Sequence, residues 1–383
     1  MKFQLIDIIN IIAAFQILVF VFFLMRRKSN RATEFLEQPN KLLSIFLVIQ
    51  LFILFNFECV HLQEYMITVT PHIFFIGIPF FYLAAPVFYF YVRSLVFSDF
   101  RFRTVDFLHT LPFMAVIVLF GQRFYFLSSD AKRILLTEGE AFSRTFWIAY
   151  NLIFFTQFFI YFLIDLRILK YYREEIKQQF SSVNHINLSW LTFILYGFIL
   201  AWLSSVATFI SRNYLLSMYE QVQLVNFLAF FCFFNYIFYK GLSQPEIFSG
   251  IIEKPKYETS RLTAIEGEQY LAKLEAHMRQ NKPYLDPTLT MKELSSQISL
   301  SPRYLSQIVN EYTRQNFYDY VNRYRIEEAK RMLSEQSTDK NVMEVLYEVG
   351  FNSKSSFNTA FKKVTGVTPS YFKKHALTSS PDS

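Results

Sequence analysis

Over its first 240 residues the chain gathers apolar residues into long runs; beyond them apolar positions come three and four apart, as on one face of a helix. A bilayer core about 30 Å thick takes about 20 predominantly apolar residues in a helix. Seven stretches reach or approach that length: Ile8–Met25, Leu42–Val60, Ile73–Val92, Phe107–Gly121, Thr145–Ile164, Leu188–Ser211 and Val222–Tyr239. The fourth is the shortest and follows Asp106, with His109 inside it. The first run ends on Arg26, Arg27 and Lys28 rather than on a small-residue cleavage site, so it predicts a retained helix and not a removed signal. In the third, Gly77, Pro79 and Pro86 interrupt backbone hydrogen bonding and predict a kink.

The second half carries an internal repeat. Leu294, Ser301, Leu305 and Val309 recur as Leu346, Ser353, Phe357 and Phe361, each pair 52 residues apart. Each copy reads as a short helix, a tight turn and a second helix whose first turn is capped by a serine. Leu294, Ile298, Leu305, Val309, Phe357 and Phe361 are the expected core. Pro302 suits the first position of a helix, where its missing N–H costs nothing. Gly350 suits the tight turn, and Gly366 a left-handed helix end. Arg314 stands where the first copy would take such a glycine, so either that helix ends differently or a left-handed arginine costs about 1 kcal/mol. Between the copies lies a 17-residue connector, Phe317–Leu333, about 25 Å long as a helix. Two helix-turn-helix units in tandem form a device for two major-groove segments.

The expected fold is therefore all-α: a seven-transmembrane-helix bundle over residues 1–240, a linker over 241–261, a connecting helix over 262–282, a cytoplasmic DNA-binding domain over 283–376 and a tail over 377–383. The connecting helix bears Ile265, Tyr270, Leu271 and Leu274 on a partial stripe. It docks on the reader or pairs with a second copy, and the sequence leaves both open.

Charge changes the picture in one respect. The net charge is +7, but residues 251–383 hold 19 Lys and Arg against 16 Asp and Glu, too small an excess to establish nucleic-acid binding. The connections between apolar runs are more telling. On one side they carry 12 basic residues, among them Arg26, Arg27, Lys28, Arg93, Arg101, Arg167, Arg173 and Lys177; the other side carries six. The richer side is cytoplasmic, which puts the N-terminus outside and the C-terminus in the cytoplasm of a cell whose inner membrane holds the bundle.

Candidate chemistry in the membrane half is sparse. Glu58, His61 and Glu64 fall at i, i+3, i+6, one face for a cationic ligand at the outer mouth, or else a hydrated helix end. Asn151, Gln157, Asn226 and Asn235 are expected to bond between helices. Cys59 and Cys232 both lie in apolar runs, which argues against a disulfide framework. No metal site, cofactor motif, protease motif, P-loop or redox motif is present, and no enzyme is expected.

Residues 289–374 resemble the DNA-binding domain of the AraC/XylS family. The resemblance rests on ELSSQISLSPRYLSQIVNEY at 293–312, on the R-I-E-E-A-K core at 325–330, and on VGFNSKSSFNTAFKKVTGVTPSYFKK at 349–374. It implies that Arg303, Ser306, Gln307 and Asn310, then Ser355, Asn358 and Thr359, read bases. Gln and Asn suit adenine and Arg suits guanine. Ser353, Lys354, Lys362, Lys363, Lys373 and Lys374 would hold phosphate and position the domain without reading sequence. Thr359 replaces the arginine usual in the family signature, which weakens that contact. The expected function is a membrane-embedded transcription regulator whose output follows an unknown signal. Its expected partners are double-stranded DNA and the lipid bilayer; a second copy and RNA polymerase are further ones. The competing readings make the bundle a permease-like unit or a passive tether.

Overall fold

The computed structural model describes residues 5–26, 37–97, 99–138, 142–183, 186, 188–243, 264–335 and 340–378. Among them the chain is helical throughout, with no strand beyond an isolated antiparallel bridge between Phe180 and Thr290. It divides into two compact units, one of Met1–Leu169 with Leu188–Glu253 and one of Lys170–Asn187 with Lys254–Ser383. The linker expected over 241–261 lies almost wholly outside the described residues, as do Arg27, Lys28 and Arg31.

Among the described residues, five helical stretches are long and apolar enough to cross a membrane: Asp7–Arg26, Gln38–Val60, Thr104–Tyr125, Arg144–Gln179 and Ser189–Tyr214; all lie in the first unit except residues 170–179 of the fourth. They belong to helices α1 (Leu5–Arg26), α2 (Glu37–His61), α5 (Leu111–Phe120), α7 (Arg144–Gln179) and α8 (Ser189–Tyr214). Between them lie the short helices α3 (Gln63–Val69) and α6 (Ser129–Glu138), an apolar α4 (Phe81–Val96) of 16 residues, and after α8 comes α9 (Tyr219–Ser243). Large apolar side chains such as Phe15, Phe22, Leu200 and Val225 are exposed on these helices.

Three sequence expectations need correction. The third run is not one helix over 73–92: Pro71–Ile73 is a short 3-10 turn, irregular turns follow, and α4 starts only at Phe81. Gly77 explains why. A Cβ there would lie 2.2 Å from the carbonyl oxygen of Phe52 and 2.5 Å from Cβ of Asn56, so the turn presses on α2 where only glycine fits. Pro86, by contrast, sits inside α4. The fourth run is longer than expected, a 3-10 entry at Thr104–Thr110, then α5, then a π turn at Gly121–Tyr125. The fifth continues as helix to Gln179, so Arg167, Lys170, Arg173 and Lys177 stand on a helix rather than in a loop. Leu169, Tyr172 and Ile176 are buried along it.

Of the four amides expected to bond between helices, Gln157 and Asn235 do, while Oδ1 of Asn226 is buried without a hydrogen-bond partner among the described residues. The Gln157 amide donates to the carbonyl of Tyr82 on α4, and Gln16 on α1 donates to Asn235 on α9; Asn151 bonds within its own helix instead, to Trp147. Of the candidate ligand face, Glu58 accepts from Asn10 at 2.7 Å. The helix breaks at Leu62 (φ −93°, ψ 27°), which puts Glu64 on α3 instead of a continuing face. The side chain of His61 lies outside the described residues. Among the described residues no group of three His, Cys, Asp or Glu is placed to hold a metal. Cys59 and Cys232 are free thiols.

In the second unit, α10 (Ala264–Asn281) precedes two helix pairs joined by a long helix. The first pair is α11 (Met291–Gln297) with α12 (Pro302–Thr313), the joining helix is α13 (Phe317–Ser334), and the second pair is α14 (Val342–Glu348) with α15 (Lys354–Thr365), followed by α16 (Pro369–Thr378). α10 packs on the first pair: Leu274 and Met278 are fully buried in its core, and Lys273 donates to the carbonyl of Ile298.

Candidate nucleic-acid interface

Both pairs are set by the same local chemistry. Thr290 and Asn341 form capping boxes with Glu293 and Glu344, starting α11 and α14. Ser301 and Ser353 cap α12 and α15, accepting from the N–H of Tyr304 and of Ser356. α12 and α15 begin and end 52 residues apart, the offset of the sequence repeat. The turns close alike, the N–H of Leu300 donating to Ser295 and that of Phe351 to Leu346. Each turn needs a left-handed residue, Ser299 (φ 58°) in the first and Gly350 (φ 89°) in the second. Gly350 also has no room for a side chain, since a Cβ would sit 2.6 Å from the carbonyl oxygen of Tyr284. At the ends of the second helices, Arg314 is left-handed (φ 54°) and so is Gly366 (φ 81°).

Inside, Leu294, Ile298, Leu305, Val309, Phe357 and Phe361 are all buried. They fall into two separate cores that share α13. Phe317, Tyr320 and Val321 belong to the first pair's core, and Ile326, Ala329 and Leu333 to the second's. At roughly 25 cal/mol per Å² of apolar area removed from water, each phenylalanine on this seam contributes about 2–3 kcal/mol, enough to seat its unit on the connector.

Arg325 lies at the boundary between the two cores and is only 1% exposed. Its Nε donates to the carbonyl of Tyr284 (2.7 Å) and Nη2 to that of Asp286 (2.7 Å). Nη1 donates to the carbonyl of Ser181 (3.0 Å) and to Oδ1 of Asn322 (3.2 Å), and Nη2 to Oγ of Ser181 (3.0 Å). The guanidinium lies over the ring of Phe351, 5.6 Å from its centre. Burial pushes its pKa down to about 10, against the opposing pull of Tyr318 and Asp286, so it stays charged at neutral pH. Arg325 thus ties α13 to the entrance of the first pair, to the turn of the second, and to Ser181. The sequence gives no hint of this, because an arginine in a mixed-face connector reads as solvated.

The expected reading residues lie on the outer faces of α12 and α15. Arg303 and Asn310 are exposed, Ser306 and Gln307 half-buried; Ser355 and Thr359 are exposed and Asn358 half-buried. Several already have intramolecular partners. Gln307 donates to the carboxylate of Glu311 at 3.2 Å. Asn310 donates to Ser306 and to Gln178, each at 3.2 Å, and Thr359 bonds back to the carbonyl of Ser355. Of the expected phosphate ligands, Lys354, Lys362, Lys363 and Lys374 are exposed. Lys363 pairs with Asp319 at 2.8 Å, and Lys373 donates to the carbonyl of Lys340. Ser353 is the cap of α15, bonded to Ser356.

Known proteins match this unit. Residues 294–375 match the family described as Helix-turn-helix domain. The transcriptional regulatory protein YesN of Bacillus subtilis (strain 168) is 33% identical over 91 residues, which are 23% of this chain and 24% of that protein. The melibiose operon regulatory protein of Escherichia coli (strain K12) is 27% identical over 89 residues, 23% of this chain and 29% of that protein. A putative AraC-like transcription regulator of Streptomyces antibioticus is 32% identical over 88 residues, 23% of this chain and 28% of that protein. The chain thus spans between a fifth and a third of the length of each of these three relatives. Residues 294–375 match a helix-turn-helix family, and the chain is similar in sequence to bacterial transcription regulators, an AraC-like one among them.

Proposed function

We propose that the chain is a membrane-embedded, sequence-specific transcription regulator, with its N-terminus outside, its C-terminal reader in the cytoplasm and its output set by a signal acting on the helical bundle. The observation that carries this reading is the duplicated pair of serine-capped helices, α12 and α15, each with a buried apolar stripe and an exposed polar face. A helix presented that way can enter a major groove and bond base edges. The bundle lends support through its size: one helix of about 20 residues suffices to anchor a protein, and five helical stretches here are long and apolar enough to cross.

On this reading Arg303, Ser306, Gln307, Asn310, Ser355, Asn358 and Thr359 face bases. Ser353, Lys354, Lys362, Lys363, Lys373 and Lys374 face phosphate. Selection of bound duplexes by the full chain in lipid nanodiscs tests the division. Gln307→Ala is expected to relax preference at one base position, by about 1–3 kcal/mol. Lys362→Ala is expected to weaken all sequences about equally. Identical, sequence-independent losses in both variants would refute the division of roles.

A further inference from the structure

One short stretch of the second unit touches both helix pairs, and it comes from the end of α7. Phe180 bridges Thr290, the cap of α11. Ser181, 1% exposed, donates through its N–H (3.2 Å) and its Oγ (2.6 Å) to the carbonyl of Leu289. Its carbonyl and Oγ in turn accept from Arg325, both at 3.0 Å. On one side of this anchor, Oε1 of Gln178 accepts from Asn310 of α12 at 3.2 Å. On the other, Oγ of Ser182 donates to Asn352 at 3.1 Å, and Asn352 immediately precedes Ser353, the cap of α15.

We propose that Gln178–Ser182 is an autoinhibitory clasp, docked on Arg325 across the two helix pairs, that must leave for both reading helices to engage DNA. The proposal rests on the DNA-reading function above. Asn310 lies at i+7 from Arg303 and i+3 from Gln307, on the same face of α12, and an amide bonded to Gln178 is withheld from a base. Asn352 flanks the N-terminus of α15, where backbone N–H groups meet phosphate in helix-turn-helix complexes. Besides the two charge-assisted bonds from Arg325, the clasp is held by neutral hydrogen bonds, each of small net strength in water, so its release requires chiefly that the Arg325 contact be given up. Its attachment supplies a lever: α7 contributes Arg144–Leu169 to the apolar unit and Lys170–Gln179 to the reader's unit as one unbroken helix. A signal that favours one position of α7 over another biases the clasp by its differential affinity for the two states.

The test uses the full chain in lipid nanodiscs and duplex DNA of random sequence at low salt. Ser181→Pro removes both the N–H and the hydroxyl that anchor the clasp and is expected to tighten DNA binding about tenfold. A disulfide between Ser182→Cys and Asn352→Cys, in a Cys232→Ser background, fixes the clasp closed. Oxidation is expected to weaken binding about tenfold or more, with full recovery on reduction. The reversal by reductant separates locking from misfolding. Salt-sensitive binding that is equal in the wild type, Ser181→Pro and the oxidised pair overturns the clasp and leaves the DNA reading standing. Weaker binding by Ser181→Pro, with the reduced pair unaffected, makes the segment a spacer and overturns it too. No binding by any of them overturns the DNA reading itself, and the clasp with it.

Discussion

Replacing Arg325 with alanine is expected to destabilise the reader by about 3–5 kcal/mol, the range seen when one partner is removed from a buried charged network. The guanidinium serves carbonyls of Tyr284, Asp286 and Ser181, of which Tyr284 and Ser181 are buried with it, and an orphaned buried acceptor costs about 1–3 kcal/mol. Alanine also opens a cavity beside Phe351. Lysine would keep the charge but not the planar fork that reaches acceptors on opposite sides, so Arg325→Lys is expected to recover less than half of the loss. Amide hydrogen exchange of residues 283–376 in the full chain measures this directly. Protection of both α12 and α15 should fall together, because Arg325 stands between their cores. Unchanged exchange in Arg325→Ala would show that the two pairs do not depend on it.

Replacing residues 1–240 with an unrelated single-span anchor that keeps the reader in the cytoplasm is expected to fix promoter output at one level. The readout is a reporter across growth conditions in which the native chain's output varies. The exchange removes the bundle and α7, and with α7 the clasp, while α10 and both helix pairs remain. DNA binding should persist, since Leu274 and Met278 of α10 complete the first core without the bundle. Coupling requires a signal with different affinity for two states of the bundle, and the chimera has no such states. If the chimera still follows the native conditions, the signal enters elsewhere and the bundle is a tether.

What was legible in the sequence follows from how far each determinant reaches along the chain. Helix caps, the proline at the start of α12, the left-handed glycine at Gly366 and the apolar stripes act within a few residues, and they were readable. The 52-residue offset was readable because two copies of one unit share those local rules. Apolar runs marked the bundle helices, but their ends were set by contacts far away in sequence. Gly77 gives up helix to lie against Phe52 and Asn56. The extension of α7 looked like a charged loop, yet Leu169, Tyr172 and Ile176 at i, i+3, i+7 already spelled a buried face. Arg325 could not be found by any local rule, since its hydrogen-bond partners lie 39 to 144 residues away, Asn322 excepted. The partition of lysines was equally hidden: Lys362 and Lys363 are neighbours in sequence, and only the fold gives Lys363 to Asp319.

The most direct test of the account is the salt dependence of DNA affinity for the full chain in lipid nanodiscs. Each phosphate neutralised by Lys or Arg adds about −0.9 to the slope of log affinity against log salt, so three to five such contacts predict a slope of about −3 to −5. Tight binding at low salt that falls along that slope is the predicted result. Absence of binding at low salt, from a chain whose C-terminal unit shows protected amides, would contradict the central claim.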